Sequence, residues 1–182
     1  DSGRYVALVL DGVWFKRRRG RRKLVLLVAI GVRVDGGFEV LDWEGSVSES
    51  ASAYERLLTR LYLRGLEEVK LIVSDEAQGI WEAVDMVYPL SNRQVCLWHL
   101  QRRLEGMLSR RDFPYRRKFR RAYWWIFEAE DLREARERFE AFLRQWREES
   151  EVVRALRMRE GRIFEYLKLP YWWRHRVRTT NL

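Results

Sequence analysis

The hydrophobic pattern at the start of the chain predicts strands. Residues 5–10 (YVALVL), 23–34 (KLVLLVAIGVRV) and 38–43 (FEVLDW) are short apolar runs of the kind that form buried strands. A basic connection joins the first two runs. Asp35-Gly36-Gly37 separates the last two and is a turn signal, because glycine supplies the positive φ that tight hairpin turns need. We therefore expect a three-stranded antiparallel meander at the start of the chain.

Helix and strand patterns alternate in the next segment. Apolar residues recur at three- and four-residue spacing in 49–65, which predicts an amphipathic helix. The apolar runs 69–73 and 93–96 predict a fourth and a fifth strand, with a short helix over 80–87 between them. Another helix is expected over 97–108.

From residue 113 onward the pattern is helical. Asp131 and Glu134 form a capping-box pattern ahead of regularly spaced apolar residues that end at Trp146, which predicts an amphipathic helix. Residues 119–127 and 152–167 carry further helical patterns that are less regular. No strand is predicted in this part of the chain.

The order of these elements predicts the fold class. A meander followed by β-α-β units is typical of an α/β fold with a mixed sheet and helices on its faces. This is the ribonuclease H-like order, with a mixed five-stranded sheet, flanking helices and an all-helical insertion after the fifth strand. We expect a ribonuclease H-like core over 1–111, the helical insertion over 112–175, and the start of a returning core helix over 176–182.

The charge distribution changes this picture by indicating a partner. The 182 residues carry 36 basic and 27 acidic side chains, a net charge of +9, and the whole excess falls after residue 100. Arginine supplies most of the positive charge, and its guanidinium group matches phosphate oxygens bidentately. A polyanion such as nucleic acid is therefore favoured over a merely solvated basic surface.

One further basic run lies in the otherwise neutral first half. The residues of this run are candidate contacts to phosphate groups: Lys16, Arg17, Arg18, Arg19, Arg21, Arg22 and Lys23. Arg178, near the end of the chain, is a further candidate.

Composition also excludes some classes of protein. No run of about 18 or more apolar residues is present, so no membrane span is expected. The single cysteine cannot form an internal disulfide, which fits a reducing, intracellular setting. The sequence begins at Asp1 without an initiator methionine and stops on Thr179-Thr180-Asn181-Leu182 without a closing element, so we expect a piece of a longer protein.

Two aspartates follow buried apolar runs. Asp11 comes after the first strand and Asp75 after the fourth, and these strands can lie side by side in parallel direction. Both carboxylates would then emerge at one edge of the sheet, where they could share Mg²⁺, which prefers hard oxygen ligands. The alternatives are that Asp11-Gly12 is a turn pair and that Asp75 caps the next helix.

Cys96-x-x-His99 is the other constellation with possible chemistry. A structural zinc site needs four ligands, and His175 is the only further His or Cys in the sequence, so a closed zinc site is disfavoured. A Cys–His nucleophile pair lacks an evident third partner. A polar pair at a strand-to-helix turn beside the metal site and a small buried cysteine are the remaining interpretations.

Nine tryptophans are present, and most are expected in the core. The pairs Trp124-Trp125 and Trp172-Trp173 lie in basic surroundings, so one ring of each pair could instead stack on a nucleic-acid base.

Five short motifs occur in order along nearly the whole chain. They are Leu10-Asp11-Gly12; Ser48-Glu49-Ser50-Ala51; Ser74-Asp75 with Gly79; Gln94 with Cys96-x-x-His99; and Leu169-Pro170 leading into Arg178-Thr179-Thr180-Asn181. In this order the chain resembles the Mutator-like DDE transposases, which include prokaryotic insertion-sequence transposases related to plant Mutator elements.

This resemblance implies an activity and a set of site residues. Asp11 and Asp75 would be the first two metal-binding carboxylates of the DDE triad, and Cys96 and His99 the family's C-x-x-H signature. Two Mg²⁺ ions, which Mn²⁺ can replace, would support cleavage of phosphodiester bonds and strand transfer at transposon ends. The family's catalytic glutamate follows Asn181 by three residues, which places it beyond Leu182, so we expect this chain alone not to complete strand transfer.

The resemblance also implies partners and a location. Double-stranded DNA of the transposon ends and of the target would be bound, by a homo-oligomer, in the prokaryotic cytoplasm at the nucleoid and away from membranes. Ala77 and Gln78 depart from a His-Lys pair that is common after the second aspartate, and Val95 from an arginine before the cysteine. A non-catalytic DNA-binding or assembly module and a ribonuclease H-type nuclease are the alternatives.

Overall fold

The computed structural model describes residues 2–15 and 23–180. Within them it forms one five-stranded sheet in the order β3-β2-β1-β4-β5. The strands are β1 (Tyr5–Phe15), β2 (Leu24–Arg33), β3 (Phe38–Ser46), β4 (Leu71–Ser74) and β5 (Asn92–Val95). The first three pair antiparallel, whereas β4 pairs parallel with β1 and β5 parallel with β4. This confirms the predicted ribonuclease H-like mixed sheet.

The helices are α1 (Ala51–Leu63), α2 (Gln78–Val87), α3 (Leu97–Met107), α4 (Phe113–Phe127), α5 (Leu132–Gln145), α6 (Ser150–Arg157), α7 (Glu160–Ile163) and α8 (Tyr171–Val177), with 3₁₀ turns at Ser2–Arg4 and Glu165–Lys168. The helices up to α7 follow the predicted order, whereas α8 begins ahead of the returning helix expected over 176–182. Asp131 caps α5 as predicted, because its side chain accepts a hydrogen bond from the Glu134 amide. The pattern over 152–167 is divided among α6, α7 and the second 3₁₀ turn.

Strand β1 is longer than its apolar run. It continues through Asp11 and Gly12 to Phe15 and stays paired with β2 along this extension, from Gly12 opposite Leu27 to Phe15 opposite Leu24. Backbone hydrogen bonds to β2, rather than burial of the side chains, stabilise this part of the strand. The interpretation of Asp11-Gly12 as a turn is therefore wrong.

The turn between β2 and β3 is as predicted. Gly36 has a φ of 83°, in the left-handed region that glycine adopts most readily. The Asp35 carboxylate accepts a hydrogen bond from the amide of Gly37 and thereby fixes the turn. The connection between β1 and β2, residues 16–22, lies outside the described residues.

Each face of the sheet is covered by a hydrophobic core. Alternate residues of β1 point to opposite faces, as the strand period requires. Leu8 and Leu10 join the core that β1 and β2 form with α1 and α2. Val9 joins the other core, which also contains Phe119 and Phe142 of the later helices. The predicted division into 1–111 and 112–175 is untested, and this second core contains residues from both parts.

Buried polar contacts bring the end of the described chain back to the sheet. The Gln94 side chain on β5 donates to the Ile163 carbonyl at 3.2 Å and accepts from the Tyr166 amide at 3.0 Å. The Leu97 amide, at the start of α3, donates to the Arg178 carbonyl at 2.9 Å. Residues 178–180 therefore lie next to the β5–α3 junction.

None of the helices in the described part of the chain has both the length and the apolar character that crossing a membrane requires.

Candidate active site

The two predicted aspartates lie at one edge of the parallel strand pair. In this pair Leu8 is opposite Ile72 and Val9 opposite Val73. Asp11 and Asp75 each follow the Val9–Val73 pair by two residues. Asp75 comes directly after β4 ends. Asp11, which was expected at the end of the first strand, instead lies inside β1 opposite Val28.

The Asp11 carboxylate is half-buried and locally restrained. Its Oδ1 accepts a hydrogen bond from the Gly12 amide at 2.8 Å. Burial raises the pKa of Asp11, the Gly12 and Thr180 hydrogen bonds and the charge of His99 lower it, and the negative charge of Asp75 raises it again. The two carboxylates therefore interact electrostatically, which is the behaviour expected of neighbouring groups that could share a cation.

Asp75 faces a small cavity instead of capping a helix. Helix α2 is preceded by Ala77, which makes no side-chain capping bond, and Asp75 Oδ1 only accepts from the Ala77 amide at 3.2 Å. With His99 and Arg103, Asp75 lines a cavity of about 280 Å³. Its carboxylate therefore remains accessible to a ligand.

Glu49 is a third carboxylate at this site. In the sequence it is recognisable only as part of the motif Ser48-Glu49-Ser50-Ala51. Its Oε1 accepts a hydrogen bond from the Trp14 indole at 2.8 Å and lies against Gly12, where a Cβ atom would collide with it. Burial and the charge of Asp75 raise the pKa of Glu49. The alternation of Gly12 and Trp14 on one face of β1 is the sequence signal that could have indicated this contact.

Thr180 connects the C-x-x-H pair to the aspartates. The buried Cys96 Sγ accepts from the Thr180 amide at 3.2 Å and from its hydroxyl at 3.5 Å. The same hydroxyl is 3.3 Å from His99 Nδ1, and the interaction with Thr180 lowers the pKa of Asp11. Cys96 and His99 thus hold the residue that lies beside the first aspartate.

The Cys96–His99 pair is electrostatically coupled. The hydrogen bond to Cys96 raises the pKa of His99 against the opposing effect of burial. Burial alone would raise the pKa of the Cys96 thiol, but hydrogen bonds with His99 and Thr180 outweigh it, so this pKa is lowered. Because Cys96 is fully buried, it is not placed to attack a substrate.

The predicted phosphate contacts are only partly described. Lys23 is exposed just before β2. Arg178 is half-buried, donates to the Phe127 carbonyl at 3.2 Å and stacks over Trp124 at 5.5 Å. The remaining predicted contacts lie outside the described residues: Lys16, Arg17, Arg18, Arg19, Arg21 and Arg22.

The carboxylate oxygens of this site suit a hard cation that a substrate also helps to coordinate. Across residues 2–15 and 23–180, no group of three or more His, Cys, Asp or Glu side chains is arranged to hold a metal ion by itself. Asp11 and Asp75 nevertheless offer carboxylate oxygens at one edge. Mg²⁺ is commonly bound by one or two carboxylates plus substrate phosphates and water, so this set suits it.

Comparisons with known proteins define the class. The family model described as "Transposase, Mutator family" matches residues 1–182. The chain is 29% identical over 179 residues to the transposase for insertion sequence element IS905 of Lactococcus lactis, covering 98% of this chain and 45% of the relative. It is 35% identical to the IS6120 transposase of Mycolicibacterium smegmatis, covering 76% and 42%, and 32% identical to the IS406 transposase of Burkholderia multivorans, covering 96% and 45%.

The chain belongs to the Mutator family of transposases. It spans about half the length of the curated relatives that it matches. Among solved structures it is similar to the HTLV-2 integrase catalytic core domain in complex with magnesium, with 14% identity, a TM-score of 0.35, and coverage of 68% of this chain and 86% of that one.

Proposed function

We propose that this chain is the metal-dependent catalytic core of a DNA transposase. The observation that carries the proposal is the placement of Asp11 and Asp75, each two residues beyond the Val9–Val73 pair, in a member of the Mutator family. These carboxylates would hold Mg²⁺, or Mn²⁺ in its place. When bound, such ions activate an attacking oxygen and stabilise the leaving oxygen of a phosphodiester.

The surrounding residues would orient the aspartates and the DNA. Thr180, held by Cys96 and His99, would help to orient the Asp11 carboxylate, whose pKa it lowers. His99 lines the Asp75 cavity, and the hydrogen bond to Cys96 raises its pKa; the imidazole would donate a hydrogen bond to a phosphate oxygen. The reaction would be cleavage and strand transfer at the ends of an insertion element.

The remaining elements of the proposal concern partners. The basic segment 16–23 and Arg178 would contact phosphates of double-stranded DNA, and the protein would act as a homo-oligomer on paired ends in the prokaryotic cytoplasm. The family motif places the third carboxylate beyond residue 182. These elements follow from family membership and from the basic charge of the chain.

The test measures metal binding and DNA chemistry together. Mn²⁺ binding to the chain on a duplex carrying an element end is followed by electron paramagnetic resonance. Asp11→Asn and Asp75→Asn should each weaken this binding by about tenfold or more, since each removes one of the two aspartate ligands of the proposed site. Any cleavage or joining by the chain should vanish in both variants, whereas the exposed Glu67→Gln should leave both readouts unchanged. Mn²⁺ binding that survives both aspartate substitutions would overturn the proposal.

A non-catalytic DNA-binding module is the second candidate. It is favoured by the finding that residues 2–15 and 23–180 contain no set of three acidic or histidine ligands. In that case the chain would bind DNA equally well with and without Mn²⁺, and neither aspartate substitution would change the affinity.

A further inference from the structure

A basic and aromatic groove runs along α3 and α4. Trp98, Arg102, Arg116, Arg120 and Trp124 line a cavity of about 510 Å³ between the two helices. A second cavity, of about 590 Å³, shares Arg120 and Trp124 and continues over α4. It adds Arg117, Arg121 and Trp125 to the lining, together with Lys118, Ala122, Glu128 and Gln145. We call the five arginines and three tryptophans of the two cavities the α3–α4 groove.

The cations of this groove are mostly unpaired. Elsewhere in the described chain many arginines bind carboxylates, such as Arg60 with Glu44 and Asp42. Within residues 2–15 and 23–180, Arg102, Arg116, Arg117 and Arg121 form no salt bridge, and the buried Arg116 Nε has no hydrogen-bond partner. Arg117 and Arg121 are also like charges four residues apart on one helix, an arrangement that is destabilising by itself. An anion from outside the chain would satisfy these groups.

The rings of the groove suit a nucleic-acid base. The Arg102 guanidinium lies over Trp98 at 5.0 Å, and Trp98 packs edge-on against His99 with ring centroids 4.9 Å apart. Trp125 is 44% exposed. Flat rings interleaved with arginines are the arrangement with which proteins bind single nucleic-acid strands. Trp98 is the point of contact between the two sites, because its ring meets that of His99, which lines the cavity of Asp75.

The floor of the groove is fixed by a buried polar network. The Trp124 indole donates to Gln101 Oε1 at 2.7 Å, and Gln101 and Glu105 are both nearly inaccessible to solvent. Glu105 in turn binds Arg120 through both carboxylate oxygens. A preformed surface loses less conformational freedom on binding, so this rigidity favours a ligand.

We propose that the α3–α4 groove binds a single DNA strand at a frayed or processed end and leads it towards His99, Asp75 and Asp11. The proposal rests on the proposed function and deepens it. Arg102, Arg116, Arg117 and Arg121 contact the phosphates, and Trp98 stacks on a base next to the reacting end. This assignment gives the unpaired positive charges of α3 and α4 a partner.

The test compares the groove with basic residues elsewhere. The 182-residue chain is titrated, in EDTA, against a fluorescein-labelled duplex with a single-stranded 3′ overhang, and its affinity is followed by anisotropy at several salt concentrations. Affinity falls as salt rises, and R102Q/R116Q and R117Q/R121Q should each make this dependence shallower. The magnitude of the slope of log affinity against log salt should decrease by about 1.4, or about 0.7 per lost contact to a single strand. R136Q/R154Q removes two exposed, unpaired arginines from α5 and α6 and should leave the slope unchanged.

A second variant tests the stacking. Trp98→Leu should weaken binding to the overhang probe by about tenfold while leaving binding to a blunt duplex nearly unchanged, since only an unpaired base can stack on the ring. Circular dichroism melting confirms that each variant is folded. Equal effects of the groove and control pairs, or an equal loss on blunt and overhang probes after Trp98→Leu, would overturn the groove assignment.

The outcomes separate this inference from the function on which it rests. Binding in EDTA does not require the metal site, so the groove can fail while Mn²⁺ binding at Asp11 and Asp75 succeeds, and the reverse also holds. Tighter binding of an acidic polypeptide than of the overhang probe would indicate a protein partner and would also overturn the inference.

Discussion

Thr180 gives the C-x-x-H signature a physical role. A single hydroxyl group lies within 3.5 Å of Cys96 Sγ and 3.3 Å of His99 Nδ1, and the same residue lowers the pKa of Asp11. Buried polar groups keep a fixed geometry when each has a partner. The pair therefore contacts Thr180, the residue that lies beside Asp11.

Removal of the Cys96 thiol should lower the pKa of His99. The hydrogen bond to Cys96 is the largest cause of the raised pKa of His99, and burial acts against it. In Cys96→Ala the pKa of His99 should fall towards or below its ordinary value of about 6.5. NMR titration of the imidazole protons in EDTA measures this change directly.

The protein supplies its own control for this measurement, because it contains only two histidines. Burial lowers the pKa of His175, and Cys96 is not among the causes, so its titration should not move. An unchanged pKa of His99 in the variant would contradict the prediction.

The same pKa shift has a consequence for stability. A histidine whose folded-state pKa is raised stabilises the fold fully below its unfolded pKa, and this contribution is lost as the pH rises through the folded pKa. The contribution of His99 should therefore be lost as the pH rises above about 6.5, and Cys96→Ala should lose less of it, as urea unfolding on either side of this pH measures.

At the scale of elements, two glycines of the family motifs lie against the segment that precedes α1. Gly12 on β1 leaves room for the Glu49 carboxylate, and Gly79 on α2 leaves room for the backbone of residues 49–51. A Cβ atom at Gly79 would lie 2.7 Å from the Ala51 amide nitrogen and 2.9 Å from the Glu49 carbonyl oxygen. Close approach of these elements thus sets where Glu49 meets the aspartate site.

Gly79→Ala should therefore destabilise the fold. The atoms in the way belong to the backbone, so α1 and α2 must separate, and the expected cost is about 1–3 kcal/mol. Equilibrium unfolding in urea measures it. The control is Gly106→Ala in α3, where nothing lies within 4 Å of the new methyl group, and alanine should stabilise the helix by up to about 1 kcal/mol. A neutral or stabilising effect of Gly79→Ala would refute this account of the packing.

The regular elements could be predicted from local pattern, whereas their continuation and contacts could not. Helix α5 shows its apolar face and its cap within one stretch of sequence, so its position was predictable. The extension of β1 beyond Leu10 depends on pairing with β2, because Asp11-Gly12 interrupts the apolar pattern before it resumes at residues 13–15 (VWF). The contact between Thr180 and Cys96 joins residues 84 positions apart, and a short motif carries no information on such a distance.

In the candidate site too, some features could be predicted from the sequence and others depend on contacts between distant residues. The order of the strands was enough to place Asp11 and Asp75 at one edge, because parallel neighbours end on the same side of a sheet. Glu49 was recognised only as part of a motif, since its role depends on the space left by Gly12 and on the Trp14 indole. The α3–α4 groove depends on which arginines lack a carboxylate, and that becomes visible only in three dimensions.

At the scale of the whole molecule, the helical part and the sheet share one core. Phe142 of α5 is 1% exposed and belongs to the same buried cluster as Val9 and Val73 of the sheet. It packs against Phe119 and Trp146 with ring centroids 5.7 and 5.9 Å apart. Helices that cover the sheet in this way should fold together with it.

Phe142→Ala should consequently destabilise the sheet as well as the helices. Deletion of a buried phenylalanine ring costs about 3–5 kcal/mol, and in a cooperative fold this loss is felt by every element. Hydrogen exchange followed by mass spectrometry should show faster exchange in peptides from β1 and β4 as well as in those from α4 and α5. Met158→Ala, at a position 78% exposed, is the matched control and should leave both sets unchanged. Faster exchange confined to α4 and α5 would show that the helical part unfolds independently, and would support a boundary near residue 112.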